Sequence, residues 1–323
     1  GAPAGTIGSI LNPTAAQANS TGGGNINLAP EKATTWTVGA VFQPQMLPGF
    51  SLSIDYYNIK VTDEIGAPTS GDVMAACFGS PAPSAITAAS AANPLCSAIR
   101  RSPVTGGLDG DPATTLGLPQ TLSNSGRLKT DGIDLIANYS KDLGLAKWSS
   151  GLVVNYAISQ TFNANVSSPL NTDRECVGYY SANCGFTGSM QPKWQVSWRN
   201  TFSFGKFDAS LLWRHISGMV QEPDDVSSSG PAFSGEIPAG FGYREGETVN
   251  FGKIGSYDWF DLSLRFNVND NLTLTAAVQN LFDKDPPVVG SSIGSTSYNS
   301  GNTYPSTYDA LGRRFAVSAR VKF

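Results

Sequence analysis

The strongest constraint on this chain is the strict alternation of short and long connections between segments that are apolar at every second residue. Nine such segments read as strands. The first two are "TTWTVGAVFQ", with Trp36, Val38, Ala40 and Phe42 on one face, and "FSLSIDYYNIKV", with Phe50, Leu52, Ile54 and Tyr56. "KTDGIDLIANYS" and "WSSGLVVNYAIS" follow, then "KWQVSWRNTFSF" and "FDASLLWRHIS", then "SYDWFDLSLRFNV" and "LTLTAAVQNLF". The ninth, "GRRFAVSARVKF", presents Phe315, Val317, Ala319, Val321 and Phe323 together. The turns "PQMLPG", "KDLGLAK", "GK" and "NDN" alternate with polar stretches over 63–122, 162–190, 219–255 and 283–311. An antiparallel sheet connected in this way has all its short turns at one end and all its long loops at the other.

Two environments suit strands with one apolar side. In a soluble sheet the apolar side faces a core; in a membrane barrel it faces lipid, and the polar side lines a wet lumen. Loops longer than about 15 residues are uncommon in compact soluble domains, whereas short turns on one rim and long loops on the other are what an outer-membrane barrel shows. Composition agrees: charged residues are only 14%, and 35 Gly with 20 Pro make poor helix material. No run approaches the roughly 18 apolar residues of a membrane helix, while a barrel strand needs about 9–11. The expected fold class is therefore all-β, an antiparallel transmembrane barrel portion with short periplasmic turns and long extracellular loops. Two alternatives remain open at this point: a passive porin or a barrel assembled from several chains, and a soluble secreted β-sandwich or adhesin.

With the long loops outside, the first and ninth strands both run towards the periplasm. Closed barrels of this kind have an even number of strands, so nine implies part of something larger or pairing between chains. The N-terminal stretch has no basic start followed by an apolar core, and the expectation is a mature chain or a fragment.

Little here points to catalysis, and a non-enzyme without cofactor or metal is expected. The single histidine, His215, has no serine or cysteine pattern beside it and reads as interfacial or loop-packing. Glu222, Asp224 and Asp225, and Asp283 with Asp285, read as solvated loop charge. With 21 basic against 25 acidic residues and no basic run, nucleic acid is not an expected partner. Cys77, Cys96, Cys176 and Cys184 all fall in external loops. Three pairings are possible; shared loops favour Cys77 with Cys96 and Cys176 with Cys184, as an oxidising envelope permits. The Ala-rich stretches around the first pair suggest short helices. All six tryptophans lie in expected strands, most of them suited to interfacial girdles. Asp55, Asp134, Asn138, Asn155, Arg199, Arg214 and Arg265 face the other way and require a watery lumen or a polar filling. The loops over 219–255 and 283–311 carry Phe233, Phe241, Tyr243, Phe251, Tyr298, Tyr304 and Tyr308 with few aliphatics to form a core of their own, and one reading is that these rings pack the loops together. Phe241, Tyr243, Phe251, Tyr298, Tyr304 and Tyr308 are candidate substrate contacts, since rings on adaptable loops stack on flat ligands or sugars.

"LAPEKATTWTVGAVFQP", "GFSLSIDYYNIKVTDEI", "LKTDGIDLIANYS", "LTLTAAVQNLFDKDPP" and "YDALGRRFAVSARVKF" resemble, in that order, the C-terminal barrel region of TonB-dependent outer-membrane receptors. The resemblance implies a plugged barrel of about 22 strands in which these are the last nine, so that residues 1–323 are barrel and the plug domain is absent. It implies residence in the Gram-negative outer membrane and active import of a scarce nutrient of the siderophore-iron, cobalamin or oligosaccharide class. The expected partners are outer-membrane lipid, the barrel-assembly machinery, a small nutrient ligand and, through the missing N-terminal plug, the TonB complex. Nothing matches the TonB box, so coupling residues are not assigned. The terminal Phe323 resembles the assembly signal of such barrels.

Overall fold

In the computed structural model the described residues are 10–11, 17–68, 70, 73–74, 77, 94–163, 166, 173–181, 184, 190–223, 231, 233–240, 245–289 and 303–322. Nine strands form one antiparallel meander, each bonded to its neighbours in sequence. They are β1 (Lys32–Phe42), β2 (Phe50–Gly66), β3 (Ser123–Asp142), β4 (Lys147–Asn163) and β5 (Trp194–Phe204). β6 (Phe207–Ile216), β7 (Tyr257–Asn267), β8 (Leu272–Gln279) and β9 (Arg314–Val321) complete the meander, and a two-residue tenth strand, Arg174–Glu175, pairs with the outer end of β4. β1 and β9 are the two edges of the meander.

The register aligns the expected apolar faces across every pair. Val38 lies opposite Tyr56, Ala40 opposite Ile54 and Phe42 opposite Leu52. Ile54 then meets Leu135, Leu135 meets Val154, and Val154 meets Val196. The same face continues through Leu211–Leu262, Leu264–Ala276 and Val278–Phe315. It is solvent-facing instead of packed, with Val38, Phe315 and Val317 at 65%, 74% and 84% exposure. An uncovered apolar surface running across nine strands is the outside of a membrane wall, not half of a sandwich.

Aromatic rings edge this face at two levels. Near the long loops, Trp36 packs on Tyr56 at 5.1 Å and Tyr156 on Trp194 at 4.3 Å between ring centroids. Near the short turns, Trp148 contacts Tyr139 at 5.3 Å and Phe202 at 6.4 Å. From Trp194 to Phe204 is about 34 Å along a strand, or about 26 Å after a tilt of about 40°, the height of a barrel's apolar band. Within the band the polar atoms are paired: Trp148 Nε1 donates to Asn200 Oδ1 (3.1 Å) and Trp198 Nε1 to Ser150 Oγ (2.9 Å). Unpaired, each group would be costly in hydrocarbon.

β2, β3 and β4, of 17, 20 and 17 residues, are longer than a membrane crossing requires. The sequence puts the first long loop at 63–122; β3 begins at Ser123 in agreement with that bound, but β2 runs on to Gly66. Above the membrane both faces are polar, so "VTDEIG" and "SNSGRL" lose the alternation while keeping their ladder. A bulge interrupts the β3–β4 pairing: Gly132 lies opposite Ala157 and Asp131 opposite Ser159, leaving Ile158 as the extra residue. Above it, Gln160 and Phe162 are the buried side of β4.

The buried cores lie in the loops. A small one joins Val73, Cys77, Ile99 and Leu118, beside the Cys77–Cys96 bridge and a four-residue helix, Pro94–Ser97. The strand Ser20–Gly23 pairs in parallel with Leu118–Thr121, tying the N-terminal segment to this loop. The larger core unites three other loops over the outer end of β6 and β7: Tyr180, Met190, Met219, Ile254, Tyr304 and Tyr308 are among its members, with Phe251 packed against it. The expectation that no loop has the aliphatics for a core of its own agrees with this arrangement, as does the reading in which the rings pack the loops together. Each loop alone lacks them, and the core forms by pooling residues from separate loops with Ile216 and Trp259 of the wall.

Candidate functional site: a lumenal cavity beneath the loop core

Opposite the apolar face, the alternation places Asp55, Asp134, Asn138, Asn155, Arg199, Arg214 and Arg265 together on the inner wall. Asp55 and Asp134 are direct cross-strand neighbours, and Asn155 Nδ2 donates to Asp134 Oδ1 (2.8 Å) and to Tyr57 Oη (3.1 Å). Further round the wall, Arg265 pairs with Asp208 (3.1 Å), Arg214 pairs with Asp261, and Arg199 donates to Ser210 (3.0 Å). Small hydroxyls, Ser197, Thr201, Ser203 and Ser210, fill the spaces between. A wall of this kind suits a wet or polar interior.

The inner wall and loop core border an open cleft of about 500 Å³, lined by Arg214, Trp259, Thr307, Tyr308, Asp309 and Arg314. A second space of about 320 Å³ shares Arg214, Trp259 and Thr307 and reaches Asn155, Gln195 and Ser197. The Arg214 guanidinium lies 5.4 Å from the Trp259 ring centroid, so a planar cation and an aromatic face are presented side by side. Arg314 grips Asp309 with two bonds of 2.7 and 3.1 Å and donates from Nε to Gln279 (2.9 Å). Chemically, the cavity offers partly paired guanidinium donors, an indole face and hydroxyls. Such a set binds oxygen-rich or aromatic solutes and contains no nucleophile–base pair.

Strand-end clamps tie neighbouring chain segments together, and the quoted motifs supply them. In "NLFDK", Asn280 is fully buried at φ 50° and its amide both donates to Lys284 O (2.9 Å) and accepts from Lys284 N (2.8 Å). Asp283, at φ 55°, accepts from Arg313 N (2.8 Å), joining that motif to "GRR". In "PEK", Glu31 accepts from Ile65 N (2.7 Å) and Lys32 pairs with Asp63 (2.9 Å). In "DYYNI", Tyr56 Oη donates to Asp131 (3.2 Å).

The loop residues singled out in the sequence fare differently. Tyr304 and Tyr308 are buried in the loop core, and Phe251 packs against it. Burial pushes the Tyr304 phenol up to about 12 and raises Tyr308 and Tyr180 as well, so all three stay neutral at ordinary pH. Phe233 is exposed. Phe241, Tyr243, Tyr298, Asp224, Asp225 and Phe323 lie outside the described residues. Disulfides join Cys77 to Cys96 and Cys176 to Cys184, with Cα separations of 4.7 and 5.3 Å. Glu222 is buried beside Arg174 (3.4 Å). His215 sits in the apolar-face register with its Nδ1 2.9 Å from Asp258 Oδ1, an atom that also accepts from Trp213 Nε1 (2.8 Å). Trp259 is the site residue the sequence reading missed: it lies one position out of phase with Phe260 and Leu262, so its register points to the lumen.

The family model described as TonB dependent receptor-like, β-barrel, matches residues 3–281. Among solved structures, the siderophore receptor PirA from Acinetobacter baumannii is similar at 17% identity and a TM-score of 0.50, over 94% of this chain and 33% of that one. A mutant of the ferric enterobactin receptor PfeA from Pseudomonas aeruginosa, in complex with enterobactin, is similar at 15% and 0.49, over 91% and 32%. The FrpB iron transporter from Neisseria meningitidis (F5-1 variant) is similar at 13% and 0.47, over 94% and 34%. At these identities the likeness to the first of them shows the fold alone. No curated protein matches significantly. The chain spans about a third of the length of these structures.

Proposed function

Because this chain belongs to the TonB-dependent receptor-like β-barrel family, we propose that it forms part of the wall and outer mouth of an active importer in the Gram-negative outer membrane. A globular plug encoded upstream would fill the polar lumen and carry the contact with TonB. The observation that carries this reading is the division of one sheet into two surfaces. One side is an apolar band edged by aromatic rings; the other is a polar wall leading to an open cleft lined by Arg214 and Trp259. The solute is a small nutrient, and the cavity's guanidinium, indole and hydroxyl groups favour an oxygen-rich chelate of the siderophore-iron class over a purely apolar ligand.

The test is uptake by cells carrying or lacking the whole receptor, with ferric chelates, cobalamin and oligosaccharides supplied at limiting concentration. Import should require both the receptor and the protonmotive force. Receptor-dependent uptake that survives dissipation of that force would indicate a passive pore. Recovery of the intact protein in a soluble fraction, with no heat-modifiable gel mobility, would indicate a secreted sandwich. Arg214→Ala should weaken uptake affinity about tenfold or more, and Arg214→Lys should restore only part of it, since an ammonium lacks the planar fork.

A further inference from the structure

Charge is divided unevenly between the wall and the mouth. The four long loops, over 63–122, 162–190, 219–255 and 283–311, hold 16 of the chain's 25 acidic residues but only six of its 21 basic ones. Four of these carboxylates are taken up by cations at the strand ends: Asp63 by Lys32, Asp173 by Arg127, Asp283 by Arg313 and Asp309 by Arg314. The rest still outnumber the loop cations two to one. Asp111, Glu236, Glu245, Glu247 and Asp285 are exposed. Residues 290–302 contain no charged side chain to offset them. A solute entering from outside meets this acidic zone first, and a mouth of one sign repels solutes of the same sign.

The cleft below adds no opposite charge. Its lining carries two guanidiniums, Arg214 and Arg314, and each is matched by a carboxylate of the protein. Arg314 is held by both oxygens of Asp309, at 2.7 and 3.1 Å, and Arg214 by Oδ2 of Asp261 on the neighbouring strand β7. Asp261 is fixed in turn, because its Oδ1 accepts from Asn280 N (2.9 Å). The adjoining space adds only His215, itself beside Asp258. The two carboxylates are 9% and 14% exposed and their arginines 36% and 39%, so the guanidiniums stand in front with their neutralising partners behind. The cleft therefore offers hydrogen-bond donors without net positive charge. A polyanion would find no free cation there and would meet Asp309 and Asp261 as uncompensated repulsion.

We propose, resting on the transport reading, that the imported solute is a ferric chelate without net negative charge, and that Asp261 and Asp309 set this preference by neutralising the two arginines of the cleft. The test is titration of the purified whole receptor with two ferric chelates of similar size, a neutral tris-hydroxamate and a trianionic tris-catecholate. At low salt the neutral chelate should bind at least about tenfold more tightly, and binding of the trianion should strengthen as salt screens the acidic mouth. Asp309→Asn releases Arg314. One freed charge about 8 Å from a trianion is worth about tenfold even at the dielectric of water, so the affinity ratio should move that far towards the trianion. Asp261→Asn should move it in the same direction, and adding Arg314→Gln to Asp309→Asn should return it, which damage to the fold would not do. Heat-modifiable mobility equal to the parent establishes that each variant is folded. Tighter binding of the trianion by the parent, weakened by salt, would overturn the charge preference and leave the receptor a chelate importer. A ratio unmoved by Asp309→Asn and Asp261→Asn would overturn the role of the two carboxylates. Binding of neither chelate would refute the siderophore-iron reading together with the preference built on it.

Discussion

Replacing Gly132 with alanine should destabilise the wall far more than the same change at Gly39, although both glycines sit on the lumenal face of long strands. A Cβ at 132 would stand 2.6 Å from the backbone oxygen of Tyr156 and 2.7 Å from Cζ of Tyr57, whose ring lies over the glycine. At 39 it would meet the Asp55 carboxyl, with Cγ at 2.7 Å, while the nearest backbone atom, Ile54 O, is 3.1 Å away. A carboxylate in a wet lumen can rotate aside; a carbonyl held in the β3–β4 ladder cannot. Overpacking of this kind costs about 1–3 kcal/mol. Displacing Tyr57 also breaks its bond from Asn155, worth about 1 kcal/mol. Gly132→Ala should therefore lose about 2–4 kcal/mol and Gly39→Ala about 1 kcal/mol or less, read from urea unfolding of the folded receptor in detergent. Tyr57→Ala in the Gly132→Ala background should recover only part of the loss, because the clash with Tyr156 remains. The packing argument fails if the two alanine variants are equally stable, or if removal of Tyr57 restores full stability.

If Phe323 is the assembly signal that the resemblance implies, deleting it should sharply lower the density of receptor in the outer membrane without reducing synthesis; unchanged surface labelling would remove that role. Non-reducing peptide mapping of envelope-purified protein should link Cys77 to Cys96 and Cys176 to Cys184, and free thiols there would contradict an external position for those loops. The loop core should open in alkali. The folded-state value of Tyr304 is raised from 10.0 to about 12, so its stabilisation is complete below pH 10 and lost as pH rises through about 12. Tyrosinate absorbance should show a delayed rise that shrinks when Tyr180, Tyr304 and Tyr308 are all changed to Phe.

The wall was legible in the sequence because a bilayer enforces period-two alternation within its thickness. Every apolar position expected from Phe50 to Tyr56 and from Phe260 to Phe266 lies in one register. Legibility ended where lipid ends. "VTDEIG" is strand with two polar faces, so nothing in its pattern separates it from loop. The loop core was illegible for another reason: Tyr304 is packed with Met190 and Tyr180, more than a hundred residues earlier, and no local pattern records that meeting. The motifs "NLFDK" and "GRR" were readable as a resemblance, but their work as a clamp between Asp283 and Arg313 is a contact between separate chain segments. Trp259 is an intermediate case, since its phase relative to Leu262 was available and only its aromatic character suggested a girdle.

The bulge at Ile158 acts on β4 as a one-letter insertion acts on a reading frame. Below it even-numbered residues answer to lipid, with Leu152, Val154 and Tyr156 in that frame; above it the even-numbered Gln160 and Phe162 are the enclosed ones. A scan of polar substitutions along the strand should therefore yield two tolerance patterns in antiphase, joined at one residue. Deleting Ile158 would close the ladder with Ala157 still opposite Gly132, Ser159 opposite Asp131 and Phe162 opposite Leu128, so both halves of the strand should keep their faces and the two tolerance patterns should merge into one.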